Sequence, residues 1–303
     1  MMLTSIITVN FNQPAVTIAF LNSIKDKLRQ EDIEVILVDN GSAENHENDF
    51  KAIYPNLTYI YSEVNLGFAG GNNLGIRAAK GAYLLFLNND TEVTSNLINV
   101  CQKEMELNPE IGLLSPLILY YDQPDVIQYA GFTEMSYLTG RNSGIGSMEI
   151  NKQQFEHQSR ETGYCHGAAM MCRSEDLKTA GLMPELFFLY YEELDWCEKF
   201  KKSGKKIWFT GKTYIYHKES ISVGKESILK TYFMTRNRML FIRRNTGILN
   251  TVIFSIYYIF FASLKQVLVY LFKGRLDLVK AVLKGLIWNF TNSKESTFLG
   301  YKF

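Results

Sequence analysis

Short, almost uninterrupted apolar runs alternate with helical stretches through the first 120 residues, and this alternation restricts the fold more than any other feature. The runs have strand length and are rich in branched side chains; they lie at residues 3–9, 33–38, 57–61, 83–87 and 111–119. Helical periodicity occupies residues 14–29, 68–80 and 96–107. Because strands without polar alternation are buried on both faces, the pattern predicts an α/β protein with a mainly parallel central sheet flanked by helices.

The alternation becomes less regular after residue 120. Residues 120–163 are polar and contain several glycines, which predicts a hairpin and an exposed loop over the site. Residues 163–172 are predicted to form a strand, residues 192–202 a helix with an acidic first turn, and 205–209 and 213–216 two short strands. Gly81 and Gly181 are expected to end helices.

Charge divides the chain into two parts. Residues 1–224 have a net charge of −9, whereas residues 225–303 contain 13 Lys and Arg against 3 Asp and Glu, a net charge of +10. We therefore predict a catalytic domain over 1–224 and a basic, apolar helical region over 225–303. The high content of Phe, Ile, Leu and Tyr in the second part favours an anionic membrane surface over nucleic acid as its partner.

The apolar tail is expected to lie on a membrane. An uncharged stretch runs from 245 to 264, and Lys265 interrupts the apolar sequence that follows. Beyond it, Lys273, Asp277, Lys280 and Lys284 share one helical face, and apolar residues share the opposite one. This pattern is typical of a helix in the interface plane. A membrane-spanning helix and a homodimer surface remain alternatives.

The cysteines and the first residues indicate the compartment. The four cysteines, Cys101, Cys165, Cys172 and Cys197, form no C-x-x-C pair and are expected to be reduced thiols. The start MMLTSIITVNFN lacks the basic and long apolar regions of a signal peptide. We therefore expect the protein at the cytoplasmic face of the cell membrane, held peripherally or monotopically.

Polar clusters follow three of the predicted strands. They are residues 10–12 (NFN), 39–42 (DNGS) and 88–90 (NND). Each alone is compatible with a turn. Ligands of parallel α/β sheets bind beyond the carboxyl ends of the strands, so the three together indicate one pocket. The carboxylate of Asp90, beside the amide of Asn88, is suited to Mg²⁺ or Mn²⁺.

A glycine-rich segment precedes the strand that leads to Asp90. Residues 65–75 read NLGFAGGNNLG, where adjacent glycines would let the backbone approach a ligand closely. The spacing is not G-x-G-x-x-G, and the acidic residue expected after a second strand is missing. A dinucleotide-binding fold is therefore disfavoured.

Six motifs in this order resemble family-2 glycosyltransferases. They are VNFN (9–12), VDNGS (38–42), NLGFAGGNNLGI (65–76), LFLNNDTEV (85–93), HGAAMMCR (166–173) and FFLYYEELDW (187–196), with His217 after them. The sequence is most similar to the rhamnosyltransferase-like branch that builds bacterial surface polysaccharides, over roughly residues 3–245. The resemblance implies a GT-A fold and inverting transfer from a nucleotide-diphosphate sugar, of dTDP or UDP type, to a lipid-linked saccharide, with dTDP-rhamnose as the favoured donor.

The resemblance also implies roles for individual residues. Donor-binding candidates are Asn10, Asn12, Asp39, Gly71, Asn72, Asn73, Asn89 and His166, with Asp39 accepting from the pyrimidine N3–H. Metal-site candidates are Asp90, Asn88 and His217, for Mg²⁺ or Mn²⁺. Glu193 is expected to be the general base, and Glu192 and Asp195 are alternatives because family members usually carry Asp at the position of Glu193. A packing role for His166 and a packing role for His217 stay open.

Two other functions are compatible with parts of the sequence. A nucleotidyltransferase would share sheet order and metal use, but the segment after the first strand, VNFNQPA, lacks a phosphate-gripping basic loop. A catalytically inactive relative could act as an assembly scaffold, although Asp39, Asp90 and the acidic cluster at 192–195 are all present.

Overall fold

The computed structural model describes residues 2–218 and 226–301. The strands are β1 (Thr4–Asn10), β2 (Ile33–Asn40), β3 (Thr58–Ser62), β4 (Tyr83–Leu87), β5 (Thr91–Glu92), β6 (Ile111–Tyr120), β7 (Ile127–Tyr129), β8 (Ser159–Glu161), β9 (Ala169–Arg173) and β10 (Lys206–His217). The helices are α1 (Pro14–Lys27), α2 (Glu47–Ile53), α3 (Gly67–Ala78), α4 (Leu97–Leu107), α5 (Leu177–Ala180), α6 (Glu192–Lys202), α7 (Ile228–Asn245), α8 (Ile248–Tyr257), α9 (Leu264–Phe272) and α10 (Leu276–Thr291). A π-helical segment, Tyr258–Ser263, joins α8 to α9.

The strands form one mixed sheet in the order β3-β2-β1-β4-β9-β6-β10-β5, with β7 on β6 and β8 on β10. Strands β3, β2, β1 and β4 are parallel, and β10 is parallel to β6. Strand β9 runs antiparallel to both β4 and β6, so β6 and β10 point the same way as the first four strands. The expected mainly parallel α/β sheet with flanking helices is confirmed.

Several local expectations need correction. Of the predicted strand at 163–172 only the end, from Ala169, is extended as β9. The two strands predicted at 205–209 and 213–216 form one strand, β10, with a register shift between Thr210 and Tyr214. Helix α2 was not predicted, because its seven residues are too few to show a period.

Gly81 does not cap α3. The helix ends at Ala78, three residues earlier, and Gly81 is not among the left-handed glycines. A Cβ at Gly81 would lie 2.6 Å from the backbone nitrogen of Ser5, so the glycine permits close packing against β1. Gly181, with a φ of 74°, does end α5 as expected.

Three glycines spaced four residues apart let α3 lie close to its neighbours. A Cβ at Gly71 would lie 2.9 Å from Cγ1 of Val9, and a Cβ at Gly75 would overlap Cγ2 of Ile7. Gly67, at the start of the helix, has a φ of 73° and would overlap the carbonyl of Phe188. Gly71 and Gly75 are therefore explained by packing of α3 on β1, and Gly67 by the close approach of the backbone at Phe188.

The C-terminal helices pack on the sheet domain. One buried apolar cluster includes Phe86 of β4, Trp196 of α6, Phe241 of α7 and Val282 of α10. Helix α7 carries most of this contact, with α10 packed along it. The predicted domain boundary between residues 224 and 225 lies outside the described residues.

The continuous helical segment Ile248–Phe272 is long and apolar enough to cross a membrane by length and composition, and little of it is buried inside the protein. Its exposed apolar side chains include Ile248, Phe260, Phe261 and Phe272. Helix α10 adds Leu283, Ile287 and Phe290 to the exposed apolar surface. Surfaces of this kind mark contacts with a membrane or with another protein.

Substituting Gly75 tests the packing of α3. We expect Gly75→Ala to lower the free energy of unfolding by about 2 kcal/mol, because the added methyl group must displace Ile7 in the sheet. Gly247→Ala is the matched control, since a Cβ at Gly247 meets no atom within 4 Å. Thermal unfolding of the purified proteins measures both, and equal melting temperatures for the two variants would contradict this account of the glycine spacing.

Candidate active site

Two adjoining cavities at the carboxyl edge of the parallel strands form one cleft. Each has a volume of about 410 Å³, and both are lined by Phe68, Asn88, Asp90 and Leu189. The first cavity extends to the ends of β1 and β2; its other lining residues include Val9, Phe11, Gln13, Asn40, Asn65 and Asn89. The second cavity contains the candidate acids and imidazoles; its other lining residues include Asn142, His166, Glu192, Glu193 and His217. Asp90 therefore lies where the two cavities meet.

A buried polar network supports the floor of the first cavity. Asn10 donates through Nδ2 to Asp39 Oδ2 at 3.1 Å, and its Oδ1 accepts from the hydroxyl of Thr17 at 2.9 Å. The backbone N–H of Ser42 donates to Asp39 Oδ1 at 3.0 Å. Asn89 donates to the same Thr17 hydroxyl at 2.8 Å. This network fixes the loops after β1, β2 and β4 relative to one another.

Exposed groups at the rim complement that network. Asn12 has a left-handed backbone with a φ of 53°, its N–H donates to the hydroxyl of Ser42, and its Oδ1 accepts from the N–H of Ala43. Phe11, between Asn10 and Asn12, is 44% exposed and lines the cavity. An exposed aromatic face beside hydrogen-bonding groups is suited to stacking on a planar ring.

Asp90 and His217 come together although 127 positions separate them. Antiparallel pairing of β5 with the end of β10 aligns Thr91 with His217, and the N–H of Lys218 donates to the carbonyl of Asp90 at 2.8 Å. As a result, His217 Nε2 lies 3.1 Å from Asp90 Oδ1. The other ring nitrogen, Nδ1, lies 2.9 Å from Oε1 of Gln128, which orients the imidazole.

This pair fits a divalent cation. Asp90 Oδ1 is buried and makes no hydrogen bond of acceptable geometry, even though His217 Nε2 is close. A carboxylate oxygen and an imidazole nitrogen that face one point form a suitable donor pair for such an ion. Among the described residues no set of three His, Cys, Asp or Glu side chains could hold a metal. Asn88, which lines both cavities beside Asp90, carries an amide oxygen of the kind such an ion also accepts.

His166 lies on the floor of the second cavity. Because β9 is antiparallel to β4, its amino end is at the same edge as Asn88, and the N–H of Asn88 donates to the carbonyl of Ala168 at 3.0 Å. His166 Nδ1 accepts from the N–H of Ala168, and the ring stacks on Phe132 at a centroid distance of 6.2 Å. Burial, and next the nearby His217, lower the pKa of His166 to about 3, so the imidazole is neutral near pH 7.

The two adjacent glutamates at the start of α6 differ in their surroundings. Glu192 is 3% exposed, and its Oε2 has no hydrogen-bond partner in the described structure. Burial, followed by repulsion from Glu193, raises the pKa of the Glu192 carboxyl well above its ordinary value. Glu193 is half-buried, and burial also raises its pKa. Glu193 is thus the more accessible of the two carboxyls. Its raised pKa makes its carboxylate a stronger base than that of an ordinary surface glutamate.

A strained loop holds these glutamates in place. Phe188, Tyr190 and Tyr191 all have φ values between 66° and 77°, a region that non-glycine residues rarely adopt. Asn237 of α7 donates through Nδ2 to the carbonyls of Phe187, Leu189 and Tyr190 at 2.8–2.9 Å. The buried α7 amide therefore fixes the loop from which α6 begins.

Asp195 is placed away from the cleft, which corrects its assignment as an alternative base. It lines neither cavity and is 1% exposed. Its carboxylate accepts from Arg244 at 3.1 Å and from Asn245 at 2.7 Å. Two residues along a helix rotate a side chain by about 200°. Asp195 accordingly joins α6 to α7 while Glu193 faces the cavity.

Of the eight predicted donor-binding residues, only Asn89 and His166 line the cavities. Asn10 and Asp39 are fully buried in the network beside the first cavity, and Asn12 lies at its rim.

The remaining three donor-binding candidates, Gly71, Asn72 and Asn73, lie away from the cleft. Gly71 packs on Val9 and approaches the amide nitrogen of Asn40. Asn72 donates to the carbonyl of Phe68 in its own helix. Asn73 donates to the carbonyl of Met183 at 3.0 Å and accepts from the N–H of the same residue. These three residues organise α3 and its contacts, which corrects their expected position beside a ligand.

Arg236 and Arg238 of α7 are also structural. Arg236 is fully buried over the ring of Trp288 and donates to the carbonyl of Leu186, and burial lowers its pKa to about 10. Arg238 donates from Nε to the hydroxyl of Tyr191 at 2.8 Å. Neither arginine lines the cleft.

Some cleft residues were not selected from the sequence. Phe68 and Leu189 line both cavities, and Asn142 lines the second. Phe68 and Leu189 lie within two of the family motifs, at 65–76 and 187–196, but an apolar side chain in a sequence indicates core packing before it indicates a binding site. Asn142 lies in the irregular 120–163 region, which carries no periodic signal.

The comparison with family models decides the assignment. The model described as "Glycosyl transferase family 2" matches residues 5–181, more than half of the chain. The chain belongs to glycosyltransferase family 2. The matched region contains the polar clusters after β1, β2 and β4 and the segment around His166.

Curated relatives are glycosyltransferases of low sequence identity. The low-salt glycan biosynthesis hexosyltransferase Agl10 of Haloferax volcanii is 25% identical over 220 residues, covering 68% of this chain and 66% of the relative. The N-acetylglucosaminyl-diphospho-decaprenol L-rhamnosyltransferase of Mycobacterium tuberculosis is 22% identical over 215 residues, covering 64% of this chain and 69% of the relative. The alignments therefore leave about a third of each relative unmatched.

Solved structures confirm the GT-A fold. GalNAc-T7 with UDP, GalNAc and Mn²⁺ has a TM-score of 0.65 at 14% identity, over 80% of this chain and 48% of that one. The mannosyltransferase PcManGT of Pyrobaculum calidifontis, in complex with GDP-Man and Mn²⁺, has a TM-score of 0.58 at 12% identity, over 95% and 86%. S. aureus TarS has a TM-score of 0.57 at 15% identity, over 94% and 82%.

The buried carboxyl of Glu192 predicts a pH-dependent effect on stability. Its raised pKa means that the folded protein favours the neutral form, whereas the unfolded carboxyl ionises near pH 4.5. Stability is therefore lost as the pH rises above that value. We expect Glu192→Gln to raise the free energy of unfolding by about 1 kcal/mol or more at pH 8, with little gain at pH 4.5.

Thermal unfolding of the full chain at the two pH values measures this difference. Glu63→Gln, at an exposed position outside the cleft, is the control and should leave the melting temperature unchanged at both. If Glu192→Gln is no more stable than the wild type at pH 8, the claim that burial of Glu192 disfavours its ionised form is wrong.

Proposed function

We propose that this glycosyltransferase transfers a sugar, with inversion, from a nucleotide-diphosphate donor to a lipid-linked saccharide on the cytoplasmic face of the membrane. The observation that carries the proposal is the position of Asp90. It separates a cavity with an exposed aromatic ring and a buried amide–carboxylate network from a cavity that contains an accessible carboxylate. A donor lying across Asp90 would have its nucleotide on one side and its sugar beside Glu193 on the other.

The first cavity offers groups that suit a nucleoside. Phe11 can stack on the base, and Asn12 at the rim and Asn89 on the wall supply hydrogen-bonding atoms for the base and ribose. Asp39, expected to accept from the pyrimidine N3–H, is fully buried, and its oxygens accept from Asn10 and from the N–H of Ser42; it supports the site from below instead.

We assign the diphosphate to the junction at Asn88 and Asp90. Asp90 and His217, assisted by Asn88, would hold Mg²⁺ or Mn²⁺ there, and such an ion neutralises charge that develops on a leaving diphosphate.

Glu193 would serve as the base. The acceptor hydroxyl attacks the anomeric carbon from the face opposite the diphosphate, its proton passes to the Glu193 carboxylate, and the bond to the diphosphate oxygen breaks. Burial raises the pKa of Glu193, which makes its carboxylate a better proton acceptor. The single displacement inverts the configuration at the anomeric carbon.

The relatives support a choice of substrates. One is named as a rhamnosyltransferase acting on an N-acetylglucosaminyl-diphospho-decaprenol, and another as a hexosyltransferase of glycan biosynthesis. We therefore propose dTDP-rhamnose as the first donor to test, with UDP-sugars next. The proposed acceptor is a saccharide on a lipid diphosphate carrier.

Membrane attachment in the interface plane is part of the proposal. Phe254, Tyr258 and Tyr270, in the first, middle and last parts of the segment 248–272, are buried against the protein, whereas most of the segment is exposed. Its outer side and the exposed apolar residues of α10 would enter the lipid surface. Lys265, Lys280 and Lys284 are exposed nearby and would meet anionic head groups.

Substitution of the two carboxylates separates binding from chemistry. We expect Asp90→Asn to abolish the Mn²⁺-dependent part of nucleotide-diphosphate binding, measured by calorimetry with dTDP and UDP. Glu193→Gln should keep nucleotide affinity within about twofold of the wild type while turnover falls by about 10²-fold or more, because only the proton acceptor is lost.

A donor-panel assay that records nucleotide-diphosphate release supplies the turnover values, and Glu63→Gln is the carboxylate control. Undiminished turnover in Glu193→Gln would show that another group accepts the proton. Absence of transfer and hydrolysis with every donor, in the wild type, would contradict the enzymatic function itself.

Flotation with vesicles tests the membrane contact. The full chain should float with vesicles containing phosphatidylglycerol, float less with purely zwitterionic vesicles, and be released from the former by alkaline carbonate. Replacing Phe260 and Phe261 by Asp should abolish flotation, whereas Leu107→Asp, an equally exposed apolar site on α4, should not. Retention after carbonate treatment would indicate a spanning helix instead.

A further inference from the structure

Unpartnered polar atoms are concentrated in one part of the molecule. Seven buried side-chain nitrogen or oxygen atoms have no hydrogen-bond partner within the described part of the chain. Three of them belong to residues that line the second cavity: Asp90 Oδ1, Glu192 Oε2 and Asn142 Nδ2. Because native proteins pair nearly all buried polar atoms, such a concentration indicates that a bound molecule supplies the missing partners.

The Asp90 oxygen is accounted for by the cation that it would share with His217. The other two atoms are not explained by a metal. The amide N–H group of Asn142 is a hydrogen-bond donor and is not a metal ligand, and Glu192 belongs to no set of three metal-binding side chains among the described residues. They also differ in kind: Asn142 Nδ2 only donates, whereas the neutral carboxyl of Glu192 can accept through one oxygen and donate through the other. A hydroxyl group, which both accepts and donates, satisfies either of them.

Both side chains are held on fixed backbone. Asn142 lies between two anchored positions, because the N–H of Ser136 donates to the carbonyl of Arg141 and the N–H of Thr133 to the carbonyl of Ser143. Glu192 begins α6, at the end of the loop that Asn237 fixes. The positions of these unpartnered atoms are therefore set by the fold before a ligand binds.

The remaining walls are suited to the ring of a sugar. Phe132 and Leu189 offer apolar surface, and Gly167 leaves space, since a Cβ there would meet its nearest atom at 3.7 Å. A saccharide presents hydroxyl groups that both donate and accept, together with C–H faces that pack on apolar side chains. The carboxyl groups of Glu192 and Glu193 disfavour an anionic group at this position.

We propose that Asn142 and Glu192 form the subsite that binds the acceptor sugar ring and selects it by its hydroxyl pattern. This inference rests on the proposed function, which places the nucleotide in the first cavity and, in the second, the donor sugar next to Asp90 and the base, Glu193. Because Glu193 must receive the proton of the acceptor hydroxyl, we assign the acceptor ring to its neighbour Glu192 and to Asn142. Asn142 donates to one sugar hydroxyl, and Glu192 accepts from a sugar hydroxyl. The two residues are specificity determinants, and the proton transfer remains with Glu193.

Saturation-transfer NMR tests the subsite without requiring turnover. The probes are the methyl glycosides of rhamnose, glucose and N-acetylglucosamine, each added to the full chain in detergent with dTDP or UDP and Mn²⁺ present. We expect saturation of at least one glycoside by the wild type, and a loss of about tenfold in its affinity in Asn142→Ala and in Glu192→Ala, the cost of removing one partner of a buried hydrogen bond. Ser143→Ala, at the neighbouring exposed position, should bind like the wild type.

Nucleotide binding gives the second readout. Affinity for dTDP or UDP should stay within about twofold in Asn142→Ala, because its side chain lines only the second cavity. If no glycoside binds to the wild type, or if Asn142→Ala binds it with unchanged affinity, the subsite is refuted. Failure of the proposed function has a different signature: the wild type would release no nucleotide diphosphate from any donor.

Discussion

The common direction of six strands is the constraint on which the site depends. Because β3, β2, β1, β4, β6 and β10 point the same way, their carboxyl ends meet at one edge. Asn10, Asp39 and His217 lie at the ends of β1, β2 and β10, and Asp90 lies in the loop after β4. The exception contributes as well. Strand β9 is reversed, so its amino end brings His166 to the edge where β4 ends. A single edge of one sheet thus assembles groups that are remote in the sequence.

The C-terminal helices complete this site rather than simply following it. Asn237 of α7 holds the carbonyls of the left-handed loop before α6, and Arg244 and Asn245 bind Asp195 on the far side of α6. Helix α10 packs on α7, where Asn289 donates to the carbonyl of Arg236. The apolar surface that we assign to the membrane is therefore joined through packed helices to the position of Glu193.

The two adjacent glutamates of the cleft, Glu192 and Glu193, differ in burial and in how far their pKa values are raised. Burial raises the pKa of both glutamates, and repulsion from Glu193 raises that of Glu192 further. A buried oxygen without a hydrogen-bond partner in the described chain, as in Asp90 and Glu192, costs stability. The cation and the sugar hydroxyl that we propose as their ligands would offset this cost on binding.

The sequence by itself determined the fold class, the family motifs and the positions of Asp90 and Glu193, because strand length, apolar runs and the order of polar clusters are local properties of the chain. It did not determine which members of each motif face the cleft. Gly71, Asn72 and Asn73 belong to a family motif, but they contact neighbouring parts of the protein and lie outside the cleft, because α3 packs on β1. Asp195 lies on the opposite side of α6 from Glu193, where it binds Arg244. The family resemblance paired His217 with Asp90 as metal-site candidates, but only the tertiary structure shows that pairing of β5 with β10 brings the two side chains within 3.1 Å. Asn142 was not predicted at all, and loop anchoring places it in the same cavity as the glutamates, because its position in the sequence leaves no local signal.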